Sequence, residues 1–213
     1  MKTYHKIETI YERDEGTGKL KVGVFRNKTV EFLKENVWEF TEKVDGTNIR
    51  VYWDGYKVSF GGRTEKAQIP KHLLERLEEL FGGDENEEIF EQRFGEKEVI
   101  LFGEGYGEKI QTNGYIDRVD FILFDVLIGD VFLSRENVED IAKCFGIDVV
   151  PIIFEGTLQD GIDYVKQHKK SVVSEKECFM EGLVARPKTE LLDRLHNRII
   201  VKIKYRDFKE VEE

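Results

Sequence analysis

Short strand-like segments outnumber helical segments along this chain, and this imbalance limits the fold more than any other sequence feature. Apolar or alternating segments predict eight strands, at residues 37–44, 48–53, 57–60, 99–102, 119–127, 149–154, 182–186 and 198–205. Three amphipathic segments predict helices, at residues 70–81, 135–145 and 158–168. Asp54-Gly55 between two strands is a strong two-residue hairpin signal, and many strands look antiparallel. The sequence therefore predicts an α+β fold.

Length and composition are those of a chain that folds around a core. Its 213 residues are 40% hydrophobic and 12% aromatic, enough for one large domain or two small ones. No apolar run approaches the ~20 residues that span a bilayer, and the N-terminus has no apolar stretch of the signal-peptide type. Cys144 and Cys178 are too few for a disulfide framework or a zinc site. We therefore expect a cytoplasmic protein without a membrane partner.

The charge is acidic overall but unevenly distributed. The formal net charge is −10, which lowers the expectation of tight, unaided binding to nucleic acid. Runs of acidic residues lie at 84–88 and 210–213, whereas residues 186–209 are rich in lysine and arginine. A local basic groove therefore stays compatible with the sequence.

The segment from Glu42 to Asn48 joins two predicted strands and carries Lys43 at the junction. A lysine needs its neutral form to act as a nucleophile, and only about one ordinary lysine in a thousand is neutral near pH 7. A site that desolvates a lysine or places other cations beside it raises that fraction. Taken alone, the segment favours an ordinary Asp-Gly turn beside a solvated lysine, because short motifs recur by chance.

A second cluster, Lys202-Ile-Lys204, lies on the last predicted strand. Alternation along a strand places Lys202 and Lys204 on one face, about 7 Å apart, with Val201 and Ile203 on the other. Two ammonium groups at this spacing suit adjacent phosphates. A solvated polar face on an edge strand is the alternative.

Three further segments carry polar groups next to apolar strands. Arg63 follows Gly61-Gly62, and Glu104 comes directly after an apolar strand, between two glycines. Glu181 precedes the strand at 182–186 in the same manner. Phe124 and Asp125 are neighbours within a hydrophobic strand, so they should face opposite ways. Phe124 is either a base-stacking platform or part of the core.

Together these segments resemble, in order, the signature motifs of the covalent nucleotidyltransferases, which include DNA ligases, RNA ligases and mRNA capping enzymes. The matching residues extend from Lys43-Val-Asp-Gly-Thr-Asn48 to Lys202-Ile-Lys204 and include Arg63, Glu104, Phe124-Asp125 and Glu181-Gly182. The chain is most similar to the RNA ligase 2 group. Asn48 stands where DNA ligases and capping enzymes usually carry arginine, and residues 103–111 also resemble that group.

The resemblance implies a nucleotidyltransferase (ligase adenylylation domain) fold, with antiparallel sheets forming an ATP cleft flanked by helices. Residues 1–213 would form a single adenylylation domain, without the C-terminal OB or helical domain that commonly follows the last lysine motif. The chain would then be a minimal ligase, a truncated chain, or a catalytic module with an RNA-binding partner protein. The resemblance therefore implies self-adenylylation more strongly than it implies RNA strand joining by this chain without a partner protein.

The resemblance also assigns roles to individual residues. Lys43 would accept AMP, with Glu42 and the Val44 backbone near the adenine and Phe124 stacked on it. Arg63 and Glu104 would bind the ribose and adjoining phosphate, while Asn48 and Asp125 would support the nucleotide and the RNA end. Asp45, Glu104 and Glu181 would orient the water shell of Mg²⁺ or Mn²⁺, and Lys202 and Lys204 would hold the α-phosphate. We expect these motif residues to converge in space.

The implied activity is that of an ATP-dependent RNA ligase acting in RNA repair. The enzyme would form lysyl-AMP, transfer AMP to an RNA 5′-phosphate, and join that end to a 3′-hydroxyl. Two alternatives stay open: the catalytic domain of a DNA ligase or of an mRNA capping guanylyltransferase, and a non-catalytic nucleotide-binding module.

Overall fold

A computed structural model describes residues 2–111 and 114–212 and divides the chain into two compact units. Unit 1 consists of Met1–His5 and Asp45–Val150, and unit 2 of Lys6–Val44 and Pro151–Glu213. One boundary falls between Val44 and Asp45, inside the motif that contains Lys43.

The described residues form thirteen strands and six helices. The strands are β1 Glu8–Thr9, β2 Tyr11–Arg13, β3 Leu20–Phe25, β4 Trp38–Glu42, β5 Thr47–Trp53, β6 Val58–Gly62, β7 Val99–Gly107, β8 Val119–Ile128, β9 Val131–Phe132, β10 Asp148–Val149, β11 Ile152–Gly156, β12 Gly182–Pro187 and β13 Val201–Lys204. The helices are α1 Lys28–Phe32, α2 Lys71–Phe81, α3 Asp84–Phe94, α4 Arg135–Phe145, α5 Leu158–Lys166 and α6 Tyr205–Glu212.

Unit 1 is built on a six-stranded sheet in the order β10-β8-β7-β5-β6, with β9 paired to β8. All of its strand pairs are antiparallel except β10 with β8. Ile49, Val51 and Trp53 alternate along β5 and pack with apolar residues of α2, α3 and α4 in one core. The intervening residues of β5, such as Asn48 and Arg50, therefore lie on the opposite face of the sheet.

Unit 2 contains a five-stranded sheet in the order β1-β13-β12-β4-β11, together with the separate β2–β3 pair. Among the described strands of unit 2, only β1 and β13 pair in parallel. Trp38 and Phe40 of β4 are fully buried, and Val201 and Ile203 of β13 are each 1% exposed. These side chains form a second core, so each unit has its own hydrophobic interior.

The α+β class with mainly antiparallel sheets agrees with the sequence prediction, while several element bounds differ. Strand β7 continues to Gly107, so Glu104 lies within a paired strand and not after it. The strand predicted at 149–154 is two strands, β10 and β11, interrupted at Val150-Pro151. Helices α1, α3 and α6 and strands β1, β2, β3 and β9 were not predicted.

The predicted hairpin exists, with a longer loop than the sequence signal indicates. Strands β5 and β6 pair from Trp53 with Val58, so four residues separate them. Asp54 Oδ1 accepts hydrogen bonds from Tyr56 N at 2.9 Å and Lys57 N at 2.7 Å, and Gly55 has a φ of 101°. The Asp54 side chain thus stabilises a wider turn than a two-residue loop.

None of the helices in residues 2–111 and 114–212 combines the length and the apolar character needed to cross a membrane.

Candidate active site

Lys43 lies directly after β4, and its side chain reaches a carboxylate at the start of the neighbouring strand. Its Nζ donates to Glu181 Oε2 at 2.6 Å, and its backbone N–H donates to Gly182 O at 2.9 Å. Lys204 Nζ donates to the other oxygen, Glu181 Oε1. The three side chains are only 23%, 14% and 12% exposed for Lys43, Glu181 and Lys204. Two lysines and one carboxylate thus form a partly desolvated triad.

Strand register explains why these residues meet. Glu42 pairs with Leu183 across β4 and β12, and Gly182 pairs with Lys204 across β12 and β13. Gly182 has a φ of 157°, and a Cβ there would lie 2.0 Å from Ile203 O. Only glycine permits this close approach, so the Glu181-Gly182 pair of the sequence motif has a steric cause.

The electrostatics of Glu181 follow from its two cationic neighbours. Burial is the largest single influence and would raise the pKa of Glu181. The charges and hydrogen bonds of Lys43 and Lys204 together outweigh burial and lower the pKa of Glu181 below its ordinary value of 4.5. The carboxylate therefore stays ionised between the two ammonium groups.

The lowered pKa of Glu181 predicts a pH-dependent contribution to stability. Because the folded-state pKa lies below the unfolded value, the contribution is present above about pH 4.5 and is lost as the pH falls through the folded-state pKa. We expect Glu181→Gln to lower the free energy of unfolding near neutral pH. The deficit relative to wild type should shrink below about pH 4.5. Urea unfolding at several pH values measures this difference.

The matched control for that experiment is Glu155→Gln. It removes a more exposed carboxylate that pairs with Lys188 at 2.6 Å. This change should alter the free energy of unfolding little at either pH. A Glu181→Gln deficit that stays constant from neutral to acid pH would contradict the proposed charge stabilisation.

Glu42 has a structural environment that the sequence did not reveal. Its side chain is 1% exposed, and its carboxylate accepts hydrogen bonds from Ser171 Oγ and, at 2.8 Å, Val172 N. Burial raises the pKa of Glu42, and the bonds from this loop offset part of that effect. Glu42 thus fastens the loop that leads to Glu181. The adjacent Val44 is buried, at 4% exposure.

The alternation predicted for the last strand is confirmed. Lys202 and Lys204 are half-buried on one face of β13, while Val201 and Ile203 lie in the core. Lys202 pairs with Thr9 on one side and with Val184 on the other. Both lysines are therefore held by a paired strand inside the sheet, and the edge-strand alternative is wrong.

In unit 1, Asn48 and Glu104 lie directly opposite each other on β5 and β7. Their side chains therefore share the face away from the main core. Asn48 Oδ1 is buried, and among the described residues it has no hydrogen-bond partner. Gly46 lies against the same site, because a Cβ there would come within 2.7 Å of Glu104 Cγ. In this closely packed site, Asn48 Oδ1 can still accept a hydrogen bond from a ligand.

Phe124 and Asp125 differ from the expectation of strict alternation. Strand β8 has a bulge here, with Phe102 opposite Asp125 and Gly103 opposite Leu123. The extra residue lets both side chains contact Tyr4, whose hydroxyl donates to Asp125 Oδ2 at 2.8 Å. The Tyr4 ring meets the half-buried Phe124 ring edge-on at 5.1 Å. The bulge thus turns the half-buried Phe124 and the fully buried Asp125 toward the same tyrosine.

Arg63 is exposed in the bend after β6. The buried Arg50 donates hydrogen bonds to residues on either side of Arg63. Arg50 Nε donates to Gly62 O at 2.8 Å, and its Nη1 donates to Glu65 at 3.0 Å. Arg50 thus bonds to the backbone before Arg63 and to a side chain after it.

The structure brings the predicted residues together as two sets, one in each unit. Lys43, Glu181 and Lys204 are in contact in unit 2, with Glu42 and Lys202 on the same sheet. Asn48 and Glu104 are adjacent in unit 1, and Asp125 and Phe124 share Tyr4. The convergence of the two sets stays a prediction.

The carboxylates do not form a direct metal cage in the described residues, where no three His, Cys, Asp or Glu side chains come together. Asp45 and Glu104 belong to unit 1, and both Glu181 oxygens already receive lysine ammonium groups. Carboxylate oxygens nevertheless suit Mg²⁺, which usually keeps several of its waters. The role of Asp45, Glu104 and Glu181 in orienting a hydrated metal stays a prediction.

Sequence reasoning missed Tyr4, Arg50 and Ser171. Arg50 carried a signal, since an arginine between Ile49 and Val51 in a strand faces away from the core and demands partners. Tyr4 and Ser171 lie far from their partners in the sequence, so only the fold reveals them.

The sequence pattern that defines RNA ligases matches residues 36–204, from before the Lys43 motif through Lys204. The chain belongs to the RNA ligase family. No match was found among curated protein sequences.

Solved structures of a Naegleria gruberi RNA ligase resemble this chain in fold. A lysine mutant with AMP and Mn aligns with a TM-score of 0.64 and 20% identity, covering 86% of this chain and 54% of that one. A second lysine mutant, with ATP and Mn, gives 0.62 and 22%, with the same coverage. The protein with PPi gives 0.61 and 20%, covering 99% and 64%. This chain thus spans about half the length of the first two.

Proposed function

We propose that this chain is an ATP-dependent RNA ligase that forms a covalent lysyl-AMP intermediate on Lys43. The observation that carries the proposal is the contact of Lys43 and Lys204 with the two oxygens of Glu181. It supplies a nucleophile, a carboxylate that holds it, and a cation for phosphate within one partly desolvated cluster. The related structures that contain ATP, AMP and Mn support the use of ATP and a divalent cation.

In the first step, the Lys43 Nζ lone pair attacks the α-phosphorus of ATP. Nζ must first lose a proton to solvent, and the ionised Glu181 Oε2, 2.6 Å away, orients Nζ for the attack. An N–P bond forms, the bond from the α-phosphorus to the bridging oxygen breaks, and pyrophosphate leaves with the electron pair. Lys202 and Lys204 stabilise the charge that builds on the α-phosphate oxygens.

In the second step, an oxygen of an RNA 5′-phosphate attacks the same phosphorus. The N–P bond breaks, Lys43 regains its electron pair and a proton, and a 5′-to-5′ pyrophosphate linkage forms. An RNA 3′-hydroxyl then attacks the activated 5′-phosphorus, loses its proton, and displaces AMP. Catalysis rests mainly on positioning and charge stabilisation.

The remaining residues would bind the nucleotide and the metal. Phe124 would stack on the adenine, near Glu42 and the Val44 backbone, and Arg63 and Glu104 would hold the ribose and phosphate. Asn48 and Asp125 would support the nucleotide and RNA ends, and the buried, unbonded Asn48 Oδ1 favours such a role. Asp45, Glu104 and Glu181 would orient a hydrated Mg²⁺ or Mn²⁺, which neutralises phosphate charge when bound.

Incubation with ATP or GTP labelled on the α-phosphate, followed by a denaturing gel, tests the proposal. We expect a covalently labelled band with ATP and divalent cation, and none with GTP or with chelator. In a second reaction, the labelled protein should pass AMP to RNA carrying a 5′-phosphate but not to the same RNA with a 5′-hydroxyl. Labelling by GTP would instead indicate a capping-type guanylyltransferase. No labelling by either nucleotide would contradict covalent catalysis.

A further inference from the structure

Unit 2 contains a cationic cleft that the site described above uses only in part. The cleft has a volume of about 390 Å³ and is lined by six basic side chains: Lys6, Arg13, Arg26, Lys202, Lys204 and Arg206. Only two carboxylates, Glu8 and Asp207, join them, which leaves a formal excess of four positive charges. Such a cleft attracts a polyanion.

The two carboxylates organise the cations. Glu8 lies 3.6 Å from Lys6 Nζ and 3.4 Å from Arg26 Nε. The buried Asp207 binds Arg13 at 2.7 Å. Each carboxylate thus holds basic side chains at the wall of the cleft. The two carboxylates together do not neutralise the six positive charges. The sixth basic group, Arg206, is 69% exposed and lies 3.9 Å from Asp207 Oδ1, at the outer limit of an ion pair.

The lining selects phosphate over a nucleobase. All of its side chains are charged except Thr9, and the lining includes no aromatic ring on which a base could stack. Contacts of this kind recognise phosphate groups and carry little sequence information. The ligand is therefore a group of phosphates.

The order of strands places this cleft on the far side of the lysine pair from the nucleophile. The sheet runs β1-β13-β12-β4, with Lys43 after β4, Lys202 and Lys204 on β13, and Thr9 on β1. Neighbouring strands lie about 4.8 Å apart. A phosphate held over β12 and β13 would have Lys43 on one side and the cleft on the other.

Phosphoryl transfer requires the attacking and leaving groups to lie roughly in line through phosphorus. When Lys43 attacks ATP, the leaving pyrophosphate must be opposite Lys43. When RNA attacks lysyl-AMP, Lys43 is the leaving group, so the RNA 5′-phosphate must enter from that same opposite side. Pyrophosphate and the RNA 5′-phosphate must therefore occupy the same location, one after the other.

We propose that the cationic cleft is this location, where pyrophosphate leaves and the RNA 5′-phosphate then binds. The inference rests on the proposed function, because it presumes lysyl-AMP on Lys43. Arg26 and Arg206 are the residues it adds to the reaction, since neither belongs to the motifs that hold AMP.

The test starts from purified lysyl-AMP protein in four forms: wild type, Arg26→Gln, Arg206→Gln and the control Arg194→Gln, an exposed arginine of unit 2 outside the cleft. One arm titrates pyrophosphate and measures the rate at which ATP re-forms. The other titrates 5′-phosphorylated RNA and measures AMP transfer. We expect each cleft variant to raise the half-saturating concentration roughly tenfold in both arms, as for loss of one charge-assisted contact. Arg26→Lys should recover much of the loss.

A competition experiment distinguishes one shared site from two. Sulfate, an oxyanion too weakly nucleophilic to attack lysyl-AMP, should raise the half-saturating concentrations of RNA and of pyrophosphate by the same factor at constant ionic strength, and leave both maximal rates unchanged. Equal thermal midpoints would establish that the variants are folded, and the more exposed Arg206 is the safer of the two substitutions.

The outcomes separate this inference from the proposed function. Changes in both arms together with competitive inhibition would support the shared cleft. A change in neither arm, a change in one arm only, or non-competitive inhibition would overturn it and leave lysyl-AMP formation intact. Failure of the wild-type protein to form lysyl-AMP would overturn both.

Discussion

Replacing Lys43 with alanine should abolish covalent labelling of the protein by ATP while both units stay folded. The substitution removes the only side chain assigned as AMP acceptor, and the other two members of its cluster, Glu181 and Lys204, still pair with each other. Labelling with α-labelled ATP on a denaturing gel measures the effect, and circular dichroism measures folding. The expected signal is background.

Two further variants make this result specific. Lys43→Arg should fail equally, because a guanidinium stays protonated and cannot attack phosphorus. Lys188→Ala is the matched control, since Lys188 also pairs with a glutamate at 2.6 Å but lies outside the cluster. It should label like wild type. A Lys43→Ala protein that still acquired label would move the acceptor elsewhere.

Replacing Lys204 with alanine should slow self-adenylylation by about 10²–10³-fold, the usual effect of losing one oriented donor to a developing anion. Negative charge accumulates on the phosphate oxygens during attack, so Lys204 stabilises the transition state more than bound ATP. We therefore expect a smaller effect on ATP affinity. Lys202→Ala should behave similarly. Single-turnover rates at several ATP concentrations separate the two effects.

The control for these lysines is Val201→Ala on the opposite face of β13. Val201 is 1% exposed in the core of unit 2, so its truncation should cost about 0.5–3 kcal/mol of stability. The folded variant should label at close to the wild-type rate. Lysine variants that label normally, combined with a folded Val201→Ala protein that does not, would refute the role of this strand face.

An element could be predicted from the sequence when its apolar residues recur with a clear period over several turns or residues. Helix α2 was predicted almost to its bounds because Leu73, Leu77 and Phe81 recur on one buried face after Pro70. Helix α3 was missed because charged residues dominate it, although its acidic first turn is a favourable helix start. Strand β1 has two residues, too few for any period.

The site was predictable as a list of residues but not as an arrangement. The order of short motifs in the chain pointed to Lys43, Glu181 and Lys204, and their contacts are present. Sequence alone could not show that Glu104 lies opposite Asn48, because Gly103 and Gly105 looked like the end of a strand. The bulge at Phe124 likewise depends on pairing between distant segments.

Mapping the AMP group by peptide mass spectrometry tests the central claim most directly. The protein would be incubated with ATP and Mg²⁺, denatured, digested, and searched for a peptide whose mass is raised by one AMP. We predict that the modified peptide contains Lys43 and that fragmentation places AMP on its Nζ. AMP on another residue, or no modified peptide from folded protein supplied with ATP and metal, would contradict the account.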